Sequence, residues 1–131
     1  MSTETHMRKN SFCIYDMLNT IEKRPGMYVY GEHLRNISIY MQGYIHAMKD
    51  AGIDDQSNPD IDGFHEFVRG KFGFYEATAG WPNMIFSVSL GLEPENIVWK
   101  NYDVGATREQ HKKSIVIFYK LLNEYREAKK A

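Results

Sequence analysis

The sequence predicts a mainly α-helical protein, a single compact helical domain of four to six helices. Three observations carry that expectation. Between Leu34 and Met48 the apolar residues Leu34, Ile37, Met41, Tyr44, Ile45 and Met48 form one stripe at helical spacing. Near the end of the chain, Thr107 and Gln110 have the spacing of a capping box. Ile115, Phe118, Tyr119, Leu122 and Tyr125 then follow along one side of a helix. The chain has 131 residues, 43% hydrophobic and 14% aromatic, which supplies the core of one domain and argues against wholesale disorder.

The elements follow in order. Residues 1–10 are polar and predict a flexible N-terminal segment ahead of the domain at 11–131. Ser11 is the expected N-cap of a first helix, whose apolar face is Ile14, Tyr15, Leu18 and Ile21. Cys13, the lone cysteine, falls in the same apolar pattern and reads as a small core residue. Lys23 and Arg24 suit the negative C-terminal end of the helix, and Pro25 disfavours helical geometry at Arg24, so the helix stops there. Pro25-Gly26 fits the central positions of a type II turn. In that reading Arg24, Pro25, Gly26, Met27 and Tyr28 are a structural turn that reverses the chain and drops Met27 and Tyr28 into the core.

The second helix runs from Leu34 to Ala51. Gly43 inside it suggests a close helix contact, and Gly52 is placed as a C-terminal stop. Ile53 to Gly63, "IDDQSNPDIDG", is a polar acidic loop from which Asp60 or Asp62 caps a third helix, with Phe64, Phe67, Val68 and Phe72 on its apolar face. Pro82 suits the first turn of a helix over "NMIFSVSLGL", where a strand is the competing reading. Glu93 to Ala106 reads as loop with a short helical turn.

Composition narrows the function classes. A formal net charge of −1 lacks the basic excess that nonspecific nucleic-acid binding needs. The opening "MSTETHMRKNS" has no signal-peptide pattern, and no apolar stretch nears the roughly 18 residues of a membrane span, so the expectation is a cytoplasmic protein that binds no membrane. Asn58 to Arg69 has oxygen side chains at three positions of a calcium loop, but Arg69 stands where the closing Glu belongs. His6, His33, His46, His65 and His111 are scattered, and no pair has the spacing of a helical zinc site. No Gly-x-Ser-x-Gly elbow occurs. The residues predict no metal, no cofactor and no catalysis.

The acidic run is the sharper signal. Asp50, Asp54, Asp55, Asp60, Asp62 and Glu66 lie within 17 residues without a Lys or Arg among them, while the last helix carries many cations. Two readings stand: a solvated loop with capping aspartates, or an anionic face for a basic partner such as a nuclease cleft. An exposed tyrosine beside it, Tyr75 or Tyr30, would be the interface anchor.

Two resemblances follow from quoted stretches. "IEKRPGMYVYG", Ile21 to Gly31, resembles a segment near the start of the ATPase domain of the DNA gyrase B subunit, which implies nucleotide binding. That family's magnesium-holding Asn helix, Asp-Gly-x-Gly loop and Gly-rich lid have no counterpart downstream. Taken together, "KRPGMY", Gly31, Gly43-Tyr44, "GFHEFVRGKFG", Gly80-Trp81 and "FYKLLNEY" resemble small bacterial immunity proteins found beside contact-dependent or polymorphic toxins. The second resemblance spans residues 14 to 125. It implies a stoichiometric inhibitor, a monomer that forms a one-to-one complex with a cognate toxin domain and needs no cofactor. The contact residues expected on this chain are Asp54, Asp55, Asp60, Asp62 and Glu66, with Tyr75. The rival expectations are a nucleotide-binding module and a self-associating structural or adaptor protein.

Overall fold

The computed structural model describes residues 13–53, 61–75 and 78–130. Among them the chain forms six helices, α1 (Ile14–Lys23), α2 (Pro25–Tyr28), α3 (Leu34–Asp50), α4 (Ile61–Phe72), α5 (Trp81–Ser89) and α6 (Arg108–Lys130), and no strand. The mainly helical class is the one the apolar periodicity implied. Residues 1–10 and Ser11 lie outside the described residues. Cys13 occupies the N-cap position of α1, and its backbone N–H donates to the Asp16 carboxylate at 2.9 Å. Ile14, Tyr15, Leu18 and Ile21 are buried.

The turn after α1 differs from the expected type II turn. Pro25 to Tyr28 make a one-turn helix with Pro in its first turn, where a missing N–H leaves no bond unmade. Positive φ comes later, at Gly31 (79°) and Glu32 (50°), inside a 3-10 turn over Tyr30–Glu32. Gly31 is the residue that tolerates this geometry without steric cost. Met27 does not enter the core and is 66% exposed. Tyr28 is half-buried against the core, and Val29 fills the buried position instead. The physical reason is rotation. Consecutive residues on a helix point about 100° apart, so Met27 and Tyr28 do not share an inward direction, and the extended backbone of Val29 carries the next side chain inside.

Helix α3 buries Leu34, Ile37 and Met41, with Tyr44 and Ile45 packed at the edge. Gly43 marks no close contact: a Cβ there would meet nothing within 4 Å. Gly52 does end α3. Its N–H reaches the Lys49 carbonyl at 3.0 Å, and the Ile53 N–H reaches the Met48 carbonyl at 2.9 Å, the paired bonds of a Schellman motif. In α4, Phe64 and Val68 are buried. Asp62 and Gly63 lie in its first turn, so they cannot wrap an ion as a calcium loop does.

Helix α5 settles the helix-or-strand question at "NMIFSVS" in favour of helix; residues 90–107 then hold turns and no helical turn. It packs against α3, α4 and α6 and buries Trp81, Met84, Ile85 and Phe86. The hydroxyls of Ser87 and Ser89 stay paired there, donating to the carbonyls of Met84 (2.8 Å) and Phe86 (2.6 Å). Around α5 the core is aromatic. Phe64 meets Trp81, Phe118 and Tyr125 edge-on at 5.2, 6.0 and 5.6 Å, and Trp81 stacks on Phe118 at 5.1 Å. The capping box of α6 is formed as its spacing implied. Gln110 accepts from the Thr107 N–H at 2.9 Å, and the Thr107 hydroxyl accepts from the Gln110 N–H at 3.2 Å. Tyr119 ties α6 to α1, donating its hydroxyl to the Leu18 carbonyl at 2.6 Å.

Candidate functional site

Two regions carry groups beyond what the core needs. The first is the acidic side expected from the sequence. Asp54, Asp55 and Asp60 lie outside the described residues. Asp62 is exposed in the first turn of α4, where a carboxylate complements the helix dipole. Glu66, one turn later, is exposed but accepts from Arg69 Nε at 2.9 Å, and the same guanidinium donates to the Phe74 carbonyl at 3.1 Å. Asp50 ends α3, beside His46 at 3.5 Å. Tyr75 is 95% exposed just past α4, and Tyr30 is 93% exposed in the 3-10 turn. Asp62 and Tyr75 are therefore not one cluster. Asp62 lies in the first turn and Tyr75 past the last turn of a helix of 12 residues, about 18 Å long at 1.5 Å per residue.

The second region is a pocket of about 140 Å³ where the first turns of α3 and α5 meet the start of α6. One wall is a stack of rings. His33, just before α3, lies on His111 of α6 with centroids 3.7 Å apart and planes 11° from parallel; His111 lies on Phe86 of α5 at 4.6 Å. Gly31 packs beside the first ring, where even a Cβ would make only an ordinary contact at 3.6 Å. The other wall is polar. Asn83 donates to the Ala79 carbonyl at 2.8 Å, which turns its oxygen to accept from the Tyr102 hydroxyl at 2.7 Å and from Arg35 at 3.4 Å. Arg35 also sits 3.5 Å from Asp103. Asn36 donates to the Tyr30 carbonyl, fixing the 3-10 turn against α3.

Comparison with protein-family models, curated proteins and solved structures gives no match. The chemistry of the pocket thus rests on its own groups. Burial lowers the pKa of His111, with His33 and Arg35 pushing the same way and Asp103 opposing them. Burial, then Asp103, pushes the Tyr102 hydroxyl up to about 12, so it stays a donor at neutral pH. The two imidazoles do not chelate. Ring lone pairs lie in the ring planes, and two nearly parallel planes 3.7 Å apart do not converge on one ion. Among the described residues no group of three or more His, Cys, Asp or Glu gathers to hold a metal. Arg35 is countered by Asp103, so the pocket offers a ligand little net charge.

Nothing in the sequence spacing marks this pocket. His33 and His111 are 78 positions apart, and each looked like one of five scattered histidines. The available signal was positional: His33 directly precedes the stripe of α3, and His111 lies one turn past Thr107. Both stand at the starts of long helices, but nothing local says that those starts touch.

Proposed function

We propose that this chain is an immunity-type binding protein. It holds a cognate toxin domain in a one-to-one complex in the cytoplasm, and the partner is a nuclease or similar domain with a basic cleft. The observation that carries the reading is charge segregation. Six carboxylates between Asp50 and Glu66 stand without a Lys or Arg, and Asp50, Asp62 and Glu66 are exposed; α6 has seven Lys or Arg against three Glu. Such a surface steers a cationic partner and rejects anionic ones. The resemblance of Lys23–Tyr28, Gly43-Tyr44, Gly80-Trp81 and Phe118–Tyr125 to immunity proteins supplies the partner class.

The test is co-expression with the toxin domain encoded beside this chain, followed by titration calorimetry. A complex of one to one is expected. Replacing Asp54, Asp55, Asp60 and Asp62 together with Asn should leave the helical circular dichroism unchanged and weaken binding at least tenfold. Unchanged affinity would return the acidic run to the solvated-loop reading. Failure of any neighbouring toxin domain to bind would overturn the proposal itself.

A further inference from the structure

The His33–His111 stack joins the residue that precedes α3 to α6, beside the direct packing of α3 on α6. The 3-10 turn over Tyr30–Glu32 packs on α2 and α3, and its far end is pinned by the Asn36 side chain to the Tyr30 carbonyl. The ring of His33 is what reaches across to α6. His111 in turn rests on Phe86, so the contact is sandwiched between the start of α3 and the core helix α5.

We propose that this stack is a proton-operated clasp, closed while His111 is neutral and released when His111 is protonated, freeing the His33 ring and the end of the 3-10 turn beside it from α6. The geometry supplies the reason. His111 Nδ1 is shut off from solvent and has no hydrogen-bond partner. In the neutral ring that nitrogen is a bare acceptor or a single N–H, a modest penalty. In the imidazolium both nitrogens are charged donors, and a buried charged N–H without an acceptor is far more costly. The surrounding charges add to this. From α3, Arg35 faces the pair; from the 90–107 connection come Asp103 and the neutral Tyr102 hydroxyl; from α5 come only the uncharged Asn83 and Phe86. On α6 itself Arg108, Lys112 and Lys113 flank His111, with Glu109 nearby, and Glu32 adjoins His33. Asp103 is the carboxylate positioned to help, and it is already engaged by Arg35 at 3.5 Å. The imidazolium is relieved when the rings part and water reaches Nδ1.

The experiment is native-state hydrogen exchange on the whole chain between pH 7.5 and 5.5, corrected for intrinsic exchange, beside an NMR titration of the histidine ring protons. Protection of the amides at Leu34–Ile37 and His111–Ile115 should fall about tenfold per pH unit below the clasp's transition, as one bound proton requires. Protection in α4 should not change. The double variant His33→Phe with His111→Phe keeps two stacked rings that cannot titrate, and its protection should be independent of pH. If that variant does not fold, the wild-type titration decides. A His111 signal displaced below the ordinary histidine range, in step with the loss of protection, supports the clasp. Constant protection across the range, or loss of protection that persists unchanged in a folded double variant, overturns it.

Discussion

Tyr119 shows how much one buried hydroxyl contributes at the scale of a residue. The residue is 4% exposed, and its hydroxyl donates to the Leu18 carbonyl across 101 positions of sequence. Burial raises its pKa, so it remains a donor through the physiological range. Tyr119→Phe removes the donor and leaves the Leu18 carbonyl with its helix bond alone. A loss of about 1 kcal/mol is expected from such a bond, read as a lower urea midpoint with an unchanged slope. His111 makes a prediction of a different form. Its folded pKa is lowered by burial, by His33 and by Arg35, so as pH falls the unfolded chain takes up the proton first. Stability from this group is fully present above about 6.5, the ordinary histidine value, and is lost as pH falls from there toward the folded pKa. The urea midpoint should therefore drop between pH 7.5 and 5.5, and His111→Phe should flatten that slope. Neither residue announced its partner in the sequence, because each partner lies in an element remote in the chain.

At the scale of the element, legibility followed how local the governing bond is. Thr107 and Gln110 bond each other across three residues, so the sequence spacing and the structure state the same fact. Gly52 ends α3 as its N–H bonds Lys49 and the Ile53 N–H bonds Met48, again within a few residues. Pro25-Gly26 was misread because two local geometries accept the pair: a type II turn, and the first turn of a helix. What chose between them is the burial of Val29 and the positive φ at Gly31, both outside the dipeptide. The two glycines make opposite predictions. Gly52 has φ of 76° and open space around a Cβ, so Gly52→Ala is penalised by backbone strain alone, about 1 kcal/mol, in thermal unfolding. At Gly26 the backbone is ordinary, and the added Cβ would meet the tip of the Glu32 side chain at 3.2 Å. That carboxylate can move, so Gly26→Ala should lie within about 0.5 kcal/mol of the native protein, the range of surface substitutions.

For the whole molecule, the helices could be read one at a time but their assembly could not. Periodicity says which side of α4 or α6 is buried; it does not say that Phe64 will meet Trp81, Phe118 and Tyr125 around α5. The pocket inherits that limit, since it exists only where three helix starts converge. Charge, by contrast, is additive along the chain and is legible without the fold, which is why the acidic run could be found and His33–His111 could not. It also sets the kinetic prediction. Exposed charges more than about 10 Å apart are largely screened at 0.1 M salt, so a steering surface acts on encounter and not on the docked complex. If the proposed toxin partner is right, raising salt from 50 to 500 mM should slow association with it about tenfold and change dissociation little, as stopped-flow mixing would read. Replacing Asp54, Asp55, Asp60 and Asp62 with Asn should slow association at low salt and reduce its salt dependence together. If the variant instead dissociates faster with its salt slope intact, those carboxylates act by direct contact within the interface, and the steering charge lies elsewhere on the molecule.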